Sequence, residues 1–127
     1  MILLDTYLHQ SKIHGIGVFA NTPIKKGSQV CDYDSPLAKK FEVNFSRKEV
    51  LTYPKVICNF LLTYGYEEPL GSDNWCLQLD NEKFLNHSNN PNLSHDGVAL
   101  RDIDKDEELM CNYKTCLLYT SPSPRDR

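Results

Sequence analysis

The sequence predicts one mostly-β domain with a few short helices. Two observations predict the class. Short runs of alternating or apolar residues are separated by Gly, Pro, Asn and Asp turn signals along most of the chain. Helical spacing appears only once, in the middle. A third observation sets the domain count: 127 residues suit a single unit.

The first third reads as strands and turns. Gly17 to Ala20 is short and apolar. Pro23 to Gly27 is a turn in which Gly can take positive φ. Ser28 to Tyr33 alternates polar and apolar, predicting a half-buried strand. Ser46-Arg47-Lys48-Glu49 then forms a capping box that opens a helix over 47–52. Pro54 breaks the register, and Val56, Ile57, Phe60 and Leu61 stand at helical spacing in a second helix over 55–63. Core packing is the expected role of that stripe.

Strands return afterwards. Trp75 to Leu79 is one candidate. Asn86 to Asn92 is a polar loop, and 92–101 is a hairpin closed by Asp96-Gly97, a dipeptide that favours a type I′ turn. Asp104 to Glu107 is another turn, and Glu108 to Tyr113 a last strand. The stretch 120–127 has no apolar residue and two prolines, so it cannot join a helix or a central strand. The longer string 117–127 resembles translated adaptor sequence, and the natural chain is expected to continue differently after about Cys116.

Hydrophobic residues at 40% and charged residues at 24% fit a soluble globular domain. The net charge is −3, and −5 once 114–127 are set aside. Binding of nucleic acid by bulk charge needs the opposite sign, so no direct nucleic-acid contact is expected. Neither a membrane span nor a signal-peptide apolar region is present, which predicts an intracellular protein, cytoplasmic or nuclear. The five cysteines are odd in number and form no Cys-x-x-Cys pair, so reduced, packed thiols are expected.

Three segments concentrate unusual residues. His14-Gly15-Ile16-Gly17 lets backbone pass close to a ligand, although a lone Gly-x-Gly is usually only a turn. Without a third Gly and a following helix it is no dinucleotide fingerprint. Phe84 to Asn92 is a polar loop entered by two apolar residues. Its composition alone reads as a surface loop with Asx-turns. His87 and His95 are eight apart with no ligand-spaced Cys or carboxylate, so no metal site is expected. Glu107 to Tyr113 ends on a Tyr whose hydroxyl can reach a site.

In this order and spacing the three segments resemble the SET-domain family of protein-lysine methyltransferases. Gly15-Ile16-Gly17-Val18-Phe19-Ala20 with Ile24-Lys25-Lys26-Gly27 matches its opening run. Phe84-Leu85-Asn86-His87-Ser88-Asn89-Asn90-Pro91-Asn92 matches its most specific loop. Ala99-Leu100-Arg101-Asp102-Ile103, Glu107-Glu108-Leu109 and Tyr113 match its close. The resemblance covers roughly 3–113, leaving 114–127 as an irregular tail. Lys83 stands where the family often has Arg, Asp106 where it has Gly, and Cys111-Asn112 where an aromatic-Asp pair is common.

The resemblance implies a SET-domain, β-clip-like fold of small sheets, with the Asn-His-Ser segment and the last strand in a knot-like crossing. It also implies S-adenosylmethionine as methyl donor. The backbone of His14, Gly15, Ile16 and Gly17 would hold its amino-acid end, and Asn86 and His87 its sulfonium side and adenine. Tyr113 would be the catalytic tyrosine and Tyr33 an aromatic lining of the lysine channel. The implied partner is a lysine-containing protein, a histone or another basic protein. A non-catalytic peptide-binding module on the same fold is the alternative.

Overall fold

The structure, a computed structural model, describes residues 1–69 and 71–112. Among the described residues seven short strands form two sheets, with three short α-helices and one 3-10 helix (Asn81–Phe84) between strands of the chain. The first sheet holds β1 (Thr6–Gln10), β2 (Ile16–Ala20), β6 (Asn86–His87) and β7 (Glu108–Cys111), in the order β1-β2-β7-β6. β1 and β2 are antiparallel with Leu8 opposite Val18; β2 meets β7 antiparallel with Val18 opposite Leu109. β6 runs parallel to β7, Asn86 opposite Met110 and His87 opposite Cys111. The second sheet is β3 (Glu42–Ser46), β5 (Asn74–Gln78) and β4 (Tyr66–Glu67), in the order β3-β5-β4.

Alternation explains which faces are covered. Val18, Ala20, Leu109 and Cys111 of the first sheet point into the main core with Val30, Leu85, Leu93 and Ile103. A smaller core of Val50, Leu61 and Trp75 sits under the second sheet. Burial holds the Cys31 thiol up at about 12 and the Cys76 thiol up at about 11, so both behave as small apolar groups. The described cysteines are free thiols, and Cys116 lies outside the described residues.

The helices are α1 (Pro36–Lys40), α2 (Arg47–Val50) and α3 (Lys55–Tyr64). Ser35 caps α1 by accepting from the Ala38 N–H at 3.1 Å, with Pro36 in the first turn. At α2 the capping box is only half formed. Ser46 Oγ accepts from the Glu49 N–H at 3.5 Å, while Asp73, far away in sequence, accepts from the Lys48 N–H at 3.1 Å. A tertiary carboxylate therefore satisfies a first-turn N–H, a different donor from the Ser46 N–H that the box assigns to Glu49.

The stripe on α3 departs from expectation more clearly. Leu61 is buried at 4% exposure, but Val56 is 82%, Ile57 50% and Phe60 42% exposed. Core packing claims the opposite side of the helix, through Cys58, Leu61 and Leu62.

Two further expectations are corrected. Ser28 to Tyr33 is extended but makes only isolated bridges, Gln29 to Val98 and Cys31 to Ile2. The Gly97 carbonyl accepts from both Val30 N–H (2.7 Å) and Cys31 N–H (3.1 Å), which interrupts a regular ladder. In the 92–101 hairpin, only Gly97 has positive φ, at 83°. Gly97 N–H donates to the Ser94 carbonyl at 3.0 Å and Ser94 N–H to the Val98 carbonyl at 2.9 Å. This is a turn closed by a left-handed Gly and not type I′, which needs two positive φ values. Asp106, at the position where a Gly was noted as usual, has φ 71° and is the sole non-Gly with positive φ among the described residues. Asp tolerates that region better than most residues, and its carboxylate accepts from the Tyr7 hydroxyl at 2.8 Å.

Candidate functional site

The site is assembled where the loop between β1 and β2 meets β6 and β7. Ser11 organises the loop. Its backbone N–H donates to the Gly15 carbonyl at 2.8 Å, and its hydroxyl accepts from the Ile13 N–H at 2.9 Å. Gly15 closes the turn with φ 47°, a conformation that penalises a Cβ. The result is an exposed loop whose His14 and Ile16 carbonyls lie beside the first sheet.

Asn86 is 1% exposed, and its amide nitrogen reaches three acceptors. It lies 3.0 Å from the His14 carbonyl, 3.0 Å from Glu108 Oε2 and 3.4 Å from the Ile16 carbonyl. Glu108 is held from the other side by the Ser11 hydroxyl, at 2.8 and 2.9 Å to its two oxygens. Gly17 makes room for this carboxylate: a Cβ there would lie 2.4 Å from Glu108 Oε2. The backbone passes so close that only Gly fits without displacing Glu108.

Asn92 secures the loop that follows β6. It is fully buried and acts as a strand surrogate along β7. Its Oδ1 accepts from the Met110 N–H at 2.8 Å and its Nδ2 donates to the Glu108 carbonyl at 2.8 Å. Ser88 N–H donates to the Cys111 carbonyl and Leu93 N–H to the Met110 carbonyl, so β7 is gripped from both ends of the loop. The polar loop predicted from composition is thus built into the sheet, with Asn90 N–H bonded to the Ser88 hydroxyl at its tip.

The structure places Asn86 beside the His14–Gly17 stretch, through the His14 and Ile16 carbonyls. His87 is adjacent on β6, with its Nε2 at 3.1 Å from Asn89 Oδ1. Tyr33 is half-buried and lines a cavity of about 450 Å³ with Leu3, Gln29, Cys31, Asp32, Asp34, His95 and Asp96, which share no residue with the Asn86 cluster. Tyr113 lies outside the described residues. Two participants were missed by sequence reading. Ser11 has no local signature, because its partner is 97 positions away. Glu108 was visible only as part of the Glu107-Glu108-Leu109 run, and its closeness to Gly17 depends on the β2–β7 register.

A SET-domain family model matches residues 15–114. The chain belongs to the SET-domain family. No curated protein matches it by sequence. Solved structures agree on the fold. A Plasmodium falciparum protein assigned to the histone methyltransferases is similar at TM-score 0.55 and 23% identity, over 86% of this chain and 96% of that one. Chaetomium thermophilum Polycomb Repressive Complex 2 bound to GSK126 is similar at TM-score 0.62 and 19% identity, over 89% of this chain but 16% of that one. A ctPRC2 structure in an autoinhibited conformation, bound to S-adenosylmethionine, is similar at TM-score 0.59 and 19% identity, over 87% and 15%. This SET domain therefore spans a small part of the two Polycomb chains. Its parallel β6–β7 pair carries the Asn-His-Ser segment beside the last described strand. The knot-like crossing was expected between the Asn-His-Ser segment and a last strand over Glu108 to Tyr113, of which Glu108 to Asn112 lie among the described residues.

Proposed function

We propose that this SET domain transfers a methyl group from S-adenosylmethionine to the ε-amine of a lysine in a protein. One observation carries the reading. Around the Asn86 amide stand three acceptors, the His14 and Ile16 carbonyls and the Glu108 carboxylate. The amide has two hydrogens and the Ser11 hydroxyl gives Glu108 a third, while two carbonyls and a carboxylate carry lone pairs for several more. An ammonium group with three N–H donors and a positive charge completes such a set, and the amino-acid end of S-adenosylmethionine carries one. The Gly15–Gly17 backbone lets a ligand approach closely, and the residues present fit the cofactor.

When bound, the cofactor supplies an electrophilic methyl on a sulfonium centre. In this reading His14, Gly15, Ile16, Gly17 and Asn86 bind its amino-acid end, and His87 flanks its adenine side. A free lysine has pKa about 10.4 and is almost wholly protonated at neutral pH. Desolvation and a neighbouring cation both lower that pKa. Tyr33 is assigned to the wall that desolvates the lysine, and the Tyr113 hydroxyl to aligning the amine, a gain from orientation. A net charge of −3 favours a Lys-rich protein substrate, a histone or another basic protein. That the chain acts as an enzyme, and inside the cell, belongs to the same reading. The ctPRC2 neighbour was solved with S-adenosylmethionine, which supports the cofactor.

Calorimetric titration with S-adenosylmethionine tests this, followed by mass spectrometry of lysine peptides. We expect saturable one-to-one binding, weakened about tenfold or more by Asn86→Ala through lost hydrogen bonds. Tyr113→Phe should keep cofactor affinity and slow turnover. No binding by a folded sample overturns the cofactor assignment; binding with no methylation of any peptide leaves the non-catalytic module.

A further inference from the structure

Two glutamates stand side by side at the entry to β7, and the fold treats them differently. Glu107 has a cation, with Arg101 Nη1 2.6 Å from its Oε2. Glu108 has none: among the described residues it makes no ion pair. It is half-buried, and its partners are neutral. They are the Ser11 hydroxyl at 2.8 and 2.9 Å and the Asn86 amide at 3.0 Å. A carboxylate drawn partly out of water without a counter-charge favours any cation that can reach it.

Ser11 decides where that charge sits. Alternation puts Leu109 in the main core and Glu108 on the opposite side of the sheet, across from Phe19. There Glu108 borders two places. One is the Asn86 cluster. The other is a cavity of about 460 Å³ that it lines together with Lys12 and Asp106. By donating to the carboxylate, the Ser11 hydroxyl selects the first. The same hydroxyl accepts from the Ile13 N–H at 2.9 Å, and the Ser11 N–H donates to the Gly15 carbonyl at 2.8 Å. One residue therefore shapes the loop that presents the His14 and Ile16 carbonyls and aims a negative charge beside them.

We propose that Ser11 is a positioning residue: it holds the Glu108 charge against Asn86, where that charge selects the ammonium of the cofactor's amino-acid end. The inference rests on the methyl-donor reading and adds to it a charge partner and the residue that aims it. Without the Ser11 hydroxyl, the carboxylate turns toward Lys12 in the adjoining cavity, and Asn86 keeps only the two carbonyls. A bound ammonium then loses its ionic partner, whereas the adenosine end of the ligand loses nothing. The effect is therefore specific to ligands that carry the amine.

Calorimetry on the full chain at neutral pH compares two ligands. S-adenosylhomocysteine has the same amino-acid end as the methyl donor; in its deaminated analogue hydrogen replaces the ammonium. Ser11→Ala should weaken the first about fivefold and Glu108→Gln about tenfold, as expected for a partly exposed charged hydrogen bond. The analogue should bind both variants as tightly as the wild type or more tightly, because Glu108 repels the carboxylate it keeps. Adding Ser11→Ala to Glu108→Gln should cost nothing further, since the charge it aims is gone. Ser11→Thr keeps the hydroxyl and should restore affinity. Urea midpoints report folding, and Glu108→Gln, of the same shape, carries the test if Ser11→Ala loosens the loop. An equal loss for both ligands, or full additivity of the two substitutions, overturns the proposal and leaves Ser11 a purely structural residue. Unchanged affinity in both variants overturns it while the methyl-donor reading stands. A folded wild-type chain that binds neither ligand overturns both.

Discussion

Substituting Gly17 by Ala tests how the Asn86 cluster, the proposed cofactor site, is spaced. The added Cβ would lie 2.4 Å from Glu108 Oε2, 2.8 Å from Glu108 Cδ and 3.2 Å from Ser11 Cβ. Atoms do not approach so closely, so something must yield. The Gly17 backbone is locked between β1 and β7, whereas the carboxylate is the end of a flexible side chain. Glu108 should therefore swing away and forfeit its bonds to the Ser11 hydroxyl and the Asn86 amide. Bonds to a charged partner are worth about 1.5–3 kcal/mol each, and partial exposure puts these at the low end. The displaced carboxylate regains water, so the net loss of stability should be about 1–3 kcal/mol. Asn86 loses one of its anchors, and S-adenosylmethionine affinity should fall about tenfold, or roughly 1.4 kcal/mol. Urea unfolding reads the first quantity and calorimetry the second. Glu108→Ala in the same chain removes the obstacle, so Gly17→Ala should then cost far less. Full additivity of the two substitutions, or wild-type affinity in Gly17→Ala, would refute the argument.

Other outcomes follow from the same geometry. Asn92→Ala strips partners from the buried Met110 N–H and Glu108 carbonyl, so urea unfolding should show a loss of about 2–5 kcal/mol. Gly97→Ala should also destabilise the chain, by about 2 kcal/mol or more. Its φ is 83° and a Cβ would meet the Cys31 carbonyl oxygen at 2.6 Å, a contact with backbone that cannot move cheaply. On the acid side, the Ser35, Ser46 and Ser94 hydrogen bonds hold Asp32, Asp73 and Asp96 below the ordinary carboxylate range. Burial pushes Glu107 upward, but Arg101 at 2.6 Å, with the Asp104 N–H and Asn92, outweighs it and leaves it lowered. A depressed folded pKa adds stability that is complete above the unfolded value near 4 and disappears as pH falls through the folded value. Thermal melts should therefore hold steady from pH 7 to about 5 and drop steeply below about 4.

Local chemistry was legible in the sequence where the cause was local. The α3 helix, β5 and the turns at Gly27 and Asp104–Glu107 lie close to where spacing and turn residues placed them. β1 was not anticipated, because alternation in Thr6–Gln10 is weak until a partner strand supplies the pairing, whereas β3 was missed although Glu42-Val43-Asn44-Phe45-Ser46 alternates strictly, its five residues running straight into the Ser46 helix-start signal. The short α1 was missed although Ser35-Pro36 is a start signal, since five residues leave no periodicity to see. Helical spacing on α3 was read correctly, but spacing alone does not say which of two apolar sides is covered. Within the site, His14 to Gly17 and Asn86 were recognisable from motifs. Ser11 and Glu108 join them only through strand register, which is a property of the fold.

Strand order has a consequence for how this protein is made. β7 lies between β2 and β6, yet it is the last strand of the described chain to leave the ribosome. Until it arrives, β2 has an open edge and Asn86 has no Glu108 to meet. The cluster around Asn86 is therefore complete only after the whole of 1–108 has been synthesised, and a nascent fragment ending earlier lacks the Glu108 contact. Closing the sheet by inserting a late central strand also makes its contacts long-range, a topology that slows folding. During that interval the exposed edge of β2 is the part of the nascent chain most open to pairing with the wrong strand.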